Sequence, residues 1–229
     1  MKRRVNVILL TLLVLAISGV ATAQVNVTVD PATMTFGYMH VSDLPENGGA
    51  YQFGGPWGPA DLTAVFDMTQ LTLGPNTIGD PNEYWYQCIG LPGQVPPDNC
   101  GMPGAPGNKS MEANFYAEVN NGSLNGQTLT FSGKVDSNTL TAAHTAQAWI
   151  KVFDGAWNVM VDDYVDLPVG SFSATLDVPG DAVVVQWGTV MTGVNVWVTD
   201  TAPFGTVILS PELVANEDSD WGSIKSMYR

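Results

Sequence analysis

Apolar and polar positions alternate along most of this chain with a period of two. From Thr145 to Phe153 (TAQAWIKVF), Ala146, Ala148, Ile150 and Val152 share one face of an extended strand, leaving Trp149 on the other between Gln147 and Lys151. In Gly193 to Asp200 (GVNVWVTD) the same period buries Val194, Val196 and Val198 and sets Trp197 beside Asn195 and Thr199. In Met111 to Val119 (MEANFYAEV) it sets Tyr116 among Glu112, Asn114 and Glu118. Each of these strands is thus expected to put one large aromatic on the face turned to water.

Short runs rich in Val, Thr, Phe and Trp, separated by Gly, Pro and Asn turns, continue to about residue 210, with no apolar period of 3.6 among them. The pattern predicts an all-β domain over residues 24–210, a two-sheet antiparallel β-sandwich of jelly-roll type. Strands are expected, among others, at Tyr84 to Ile89, Trp157 to Val161 and Val194 to Val198. Parity points Phe115, Ala117, Val119, Leu129, Phe131, Val135, Ile150, Val152, Phe172, Leu176, Val185, Trp187, Val194 and Val196 inward. Leu44 to Pro59 and Gly90 to Gly107 are dense in Gly and Pro and read as long irregular connections, of the kind that border binding sites. From Pro211 an acidic stretch leads to Trp221, Ile224, Met227 and Tyr228, spaced for a short C-terminal helix or sorting tail over 211–229.

Composition narrows the compartment. Lys2, Arg3 and Arg4, the apolar run Val7 to Ile17 and Ala21-Thr22-Ala23 have the layout of a signal peptide over 1–23, so the mature chain is expected to be secreted and to sit outside the cell or at its surface. The formal charge of −14 becomes −17 when those three basic residues leave. So acidic a chain repels phosphate backbones and anionic lipid, which excludes nucleic acid and leaves neutral glycans, cell-surface components and self-association as partners. No second stretch is long and apolar enough to span a membrane. Cys88 and Cys100 are the only cysteines, and an oxidising compartment makes a disulfide between them the expectation; closing so short a loop is worth about 3 kcal/mol. A redox or metal pair would need a CxxC spacing or a nearby histidine, and has neither.

Aromatics flanked by amides and carboxylates on an open sheet face suit a sugar: its apolar ring face stacks on the aromatic and its hydroxyls bond the neighbours. Tyr116, Trp149 and Trp197 are the candidate stacking residues, with Asn114, Gln147 and Asn195 as hydrogen-bonding neighbours. No catalytic residue is expected. The histidines His40 and His144 lack a nucleophile turn and read as structural or surface groups. Paired acids such as Glu112 with Glu118, or Asp162 with Asp163, leave a glycan hydrolase as a distant reading. No cofactor is required, but Asp80, Asn82 and Glu83, with Asn76 nearby and Asp43 and Asp200 at strand ends, could hold a structural calcium. The glycine-rich Gly49 to Gly58 lacks the Lys-Ser or Lys-Thr of a phosphate loop and reads as turns.

The stretches LTLGPNTIGDPNEYWY (71–86), APGNKSMEANFYAEV (105–119), LTFSGKVDSNTL (129–140) and GVNVWVTDTAPFG (193–205) resemble a group of secreted bacterial all-β domains with no assigned activity. In architecture the chain is similar to jelly-roll carbohydrate-binding modules, which implies a fold and no particular residue. The ending WGSIKSMYR resembles short tails of other secreted bacterial proteins. Together these make a secreted, non-catalytic carbohydrate-binding module the first expectation. A structural subunit of an extracellular surface layer or filament is the alternative.

Overall fold

A computed structural model describes residues 23–77, 85–90 and 102–212, and every structural statement below concerns these. The expected signal peptide (save Ala23), the calcium candidates Asp80, Asn82 and Glu83, Cys100 and the tail from residue 213 lie outside them.

Twelve strands form in the described residues: β1 Gln24–Thr28, β2 Phe36–Asp43, β3 Tyr51–Pro56, β4 Ala64–Asp67, β5 Gln70–Leu73, β6 Lys109–Val119, β7 Thr128–Asn138, β8 His144–Phe153, β9 Val159–Asp166, β10 Gly170–Asp177, β11 Val184–Val194 and β12 Val207–Ser210. They build the expected all-β sandwich. One sheet runs β1-β7-β12-β5-β4, with β10 on the opposite edge of β7; the other runs β3-β2-β6-β11-β8-β9. From β6 onward the chain changes sheet at every connection except the β8–β9 hairpin, so strands adjacent in sequence become opposite layers of one core.

That core is what the alternation dictates. Leu129, Phe131 and Val135 of β7 and Phe172, Ala174 and Leu176 of β10 face Phe115 and Ala117 of β6, Ile150 and Val152 of β8 and Val185 and Trp187 of β11. Val119 and Val194, also expected inside, are only partly buried because each closes its strand, where the opposite sheet no longer covers it.

Five expectations are corrected. The sandwich is not antiparallel throughout, since β1 pairs parallel with β7. The segment 44–59 contains a strand, β3, whose glycines pair with Met39 and His40 of β2; an edge strand can be held by its neighbour's backbone in spite of low β propensity. Trp85–Gly90 forms turns and no strand, and 195–198 continues past the end of β11 as irregular chain with a single bridge from Val196 to Thr77. Trp157 lies in the β8–β9 turn, and β9 begins at Val159 and runs on to Asp166.

Candidate functional site

Strand register puts a row of aromatics across the outer face of the second sheet. Phe36, Tyr116, Gly188, Trp149 and Tyr164 are direct cross-strand neighbours on β2, β6, β11, β8 and β9, and neighbours in register share a face. On one side of the row stand Tyr38, Asn114, Val190, Gln147 and Asp166; on the other stand Glu118, Gln186, Lys151 and Asp162. Gly188 matters at the centre. A Cβ there would come within 2.2 Å of the Phe115 carbonyl and 2.6 Å of Tyr116 Cα, and with none the Tyr116 and Trp149 rings close to 5.7 Å across it.

These two rings floor a pocket of about 370 Å³, walled by Tyr38 and His40 on one side and by Lys151, Phe153 and Trp157 on the other, with Asn114 and Gln186 between. Trp149 is not the open platform that alternation suggests: it is 1% exposed. Its parity is right, but Lys151 folds back over it, with Nζ 4.4 Å from the Trp149 ring centre and 5.3 Å from that of Tyr164. The indole Nε1 is buried and has no hydrogen-bond partner, an unsatisfied donor that a ligand acceptor would relieve.

The polar groups are arranged as amide–acid pairs. Asn114 Nδ2 donates to Glu112 (3.0 Å), Gln186 Nε2 to Glu118 (2.8 Å) and Gln147 Nε2 to Asp166 (2.8 Å), while Lys151 Nζ donates to Asn114 Oδ1 (3.3 Å). Each bond fixes an amide's orientation. Burial holds the Lys151 ammonium below the usual lysine range, against the pull of Glu112 and Asp162. Burial, helped by Glu118 and Tyr38 and opposed by a hydrogen bond with Gln186, raises the Tyr116 phenol, and burial with Glu112 and Asp162 pushes Tyr164 up to about 12.

Trp157 is the functional candidate that alternation misses. It sits at φ 64 in the β8–β9 turn, a left-handed conformation costly for a bulky side chain, and holds its indole 61% exposed at the pocket mouth, 5.7 Å from the Phe153 ring. Asp154 enforces the turn: its carboxylate accepts from the backbone N–H of Ala156 (2.8 Å) and Asn158 (2.9 Å) and from Asn158 Nδ2 (2.9 Å). These bonds hold the Asp154 carboxyl below its usual range. The signal for this turn was the run Asp154-Gly155-Ala156-Trp157-Asn158, whose Asp, Gly and Asn are turn formers.

The remaining site expectations separate. Trp197 and Asn195 do not join the aromatic face, because β11 ends at Val194 and strand parity stops there. Trp197 is 7% exposed and packs edge-on against buried Tyr86 at 5.0 Å, while Val198, expected inside, is exposed. Asn195 is buried and structural: its Oδ1 accepts from the Lys109 N–H at 3.1 Å. Both border a separate cavity of about 830 Å³ at one end of the sandwich, beside His144, whose Nε2 is 2.9 Å from the Val194 carbonyl. His40 instead lines the aromatic pocket.

Of the outlying calcium candidates, Asp43 pairs with Lys109 (3.2 Å), Asp200 accepts from the Gly104 N–H, and Asn76 is buried with both carboxamide atoms unpartnered. Among the described residues no three His, Cys, Asp or Glu side chains gather as a metal site. No described helix is long and apolar enough to cross a membrane.

No family model matches the chain, and no curated protein matches it. Among solved structures it is similar to the enzymatically active domain of tailspike protein 4 of Bacteriophage CBA120, at 16% identity and a TM-score of 0.32. That match covers 65% of this chain and 18% of the tailspike chain.

Proposed function

We propose that this chain is an exported β-sandwich that binds carbohydrate in the pocket on the outer face of its second sheet. The observation that carries the reading is the Trp149 indole, buried at the pocket floor with an unpartnered N–H and ringed by pre-oriented amides. A sugar hydroxyl supplies the missing acceptor, its ring face lies against Tyr38, Tyr116 or Trp157, and its remaining hydroxyls meet Asn114, Gln186 and Glu118. Nothing in the pocket needs a cofactor for this.

Titrating purified protein with neutral mono- and oligosaccharides, read by tryptophan fluorescence and calorimetry, tests the assignment. Trp149→Phe, which keeps a ring and deletes the N–H, is expected to weaken binding about five- to tenfold, the value of roughly one hydrogen bond. Equal affinity of Trp149→Phe and the parent for a bound sugar would remove the indole from the site.

Assembly into a surface layer is the second reading, favoured by apolar side chains on sheet edges: Val65 of β4 and neighbouring Met68, and Val159 and Met160 of β9, are all exposed. Concentration-dependent sedimentation without sugar binding would put it first.

A further inference from the structure

Resting on the glycan reading, we infer that the ligand is a linear chain of several sugar rings without acidic groups, running diagonally over the second sheet from Trp157 to Tyr51. The pocket's side chains come from four strands and shift in level from each strand to the next. On β8, Phe153 lies opposite Val184 of β11; on β2, His40 lies opposite Glu112 of β6, which is itself paired with Thr192. Measured on β11, the two ends of the pocket are therefore eight residues apart, and they are also three strand spacings apart. The spacings alone amount to about 14 Å, longer than one sugar ring.

Aromatic contact runs past the pocket at one end and to its rim at the other. At one, Tyr51 packs on His40 (6.1 Å) and His40 on Tyr38 (5.0 Å). Gly54 permits this, since a Cβ there would lie 2.8 Å from the Tyr51 hydroxyl and 3.0 Å from both the His40 and Tyr38 rings. At the other end Trp157 packs on Phe153. Tyr51 is 62% exposed and Trp157 61%, whereas the rings between them are mostly covered. A compact ligand would use the centre alone. Exposed aromatics at opposite ends of one line are stacking positions for further rings of the same chain.

Charge selects among such chains. Glu112, Glu118, Asp162 and Asp166 stand on this face with Lys151 as their only cation, and its ammonium is already held by Asn114 and the Trp149 ring. Carboxylate or sulfate groups on the glycan would meet four acids, with only the engaged Lys151 ammonium and the His40 imidazole to set against them.

A length ladder decides the matter: linear β-1,4-linked glucose, xylose and N-acetylglucosamine oligomers of one to six rings, with galacturonate oligomers of the same lengths, titrated by calorimetry. Affinity in the preferred neutral series is expected to rise at least tenfold between one and four rings and then level off, with the galacturonates at least tenfold weaker at every length. Tyr51→Ala and Trp157→Gly, the latter keeping the turn's positive φ, are each expected to bring the plateau one ring earlier while the melting temperature stays close to the parent's. A monosaccharide as tight as the hexamer, or galacturonates as tight as neutral chains, overturns this inference and leaves the glycan reading standing. No binding by any oligomer of any series overturns both.

Discussion

Trp149 and Trp197 stand at the same place in the same alternating pattern, yet they are buried in different ways. Trp149 lies in mid-strand, where pairing of β8 with β11 and β9 on both sides fixes the parity, so the ring does reach the outer face. Its neighbours then cover it. Trp197 lies three residues beyond the last residue of β11, where no ladder fixes the parity, and the ring turns into the main core against Tyr86. Alternation thus states which side of a sheet a residue faces, only where a sheet exists, and never states whether that side is open.

Three measurements test this difference between the two indoles. The largest effect is expected from Trp197→Ala, which leaves a cavity beside Tyr86 and should cost about 3 to 5 kcal/mol in denaturant unfolding. Trp149→Phe should cost less, about 1 to 2 kcal/mol, for the buried ring volume it leaves unfilled, since the donor it deletes has no partner in the fold. Near-equal losses for the two would mean that Trp149 is as much a core residue as Trp197.

Next in size is Gly188→Ala. The added methyl meets backbone atoms of β6 on one side, so the strand must shift at a cost of about 1 to 3 kcal/mol, and the Tyr116–Trp149 floor opens with it. A variant that melts with the parent and keeps sugar affinity would show that the floor does not depend on this close approach.

The smallest effect is alkaline. Tyr164 ionises near pH 10 in the unfolded chain but holds its proton to about 12 in the fold, so between those values the native state binds more protons and stability falls as pH rises. Tyr116 acts in the same direction, and Lys151, with its folded value lowered, opposes them below its unfolded value. Absorbance titration should show delayed tyrosine ionisation, and Tyr164→Phe should flatten the loss of stability between pH 10 and 12. An unchanged slope would detach Tyr164 from the covered face.

The sandwich was legible in the sequence because strands such as β6, β7 and β8 are ten or eleven residues long and their apolar faces repeat without a break. Of the site, Asn114, Tyr116 and Trp149 were legible for the same reason, and Gln147 shares their face, in the row of Asn114 but beyond the pocket lining. Tyr38, His40, Lys151, Phe153, Trp157 and Gln186 were not, since strand order is a long-range property: β2 and β11 flank β6 from opposite ends of the chain. Lys151 was visible only as a polar neighbour. That its stem and ammonium cover Trp149 follows from Tyr164 on β9 forming the other wall, a contact no local pattern encodes.

The two outermost described strands share one edge of β7, laid end to end: β1 along Thr128 to Ser132 and β12 along Lys134 to Asn138. Where they meet, the Glu212 N–H donates to Thr28 Oγ1 at 3.2 Å. Tension between Ala23 and Glu212 would therefore act along the axis of β1, and its five residues would resist sliding together instead of peeling off singly. Force applied between these two points would meet the single parallel strand of the described residues first.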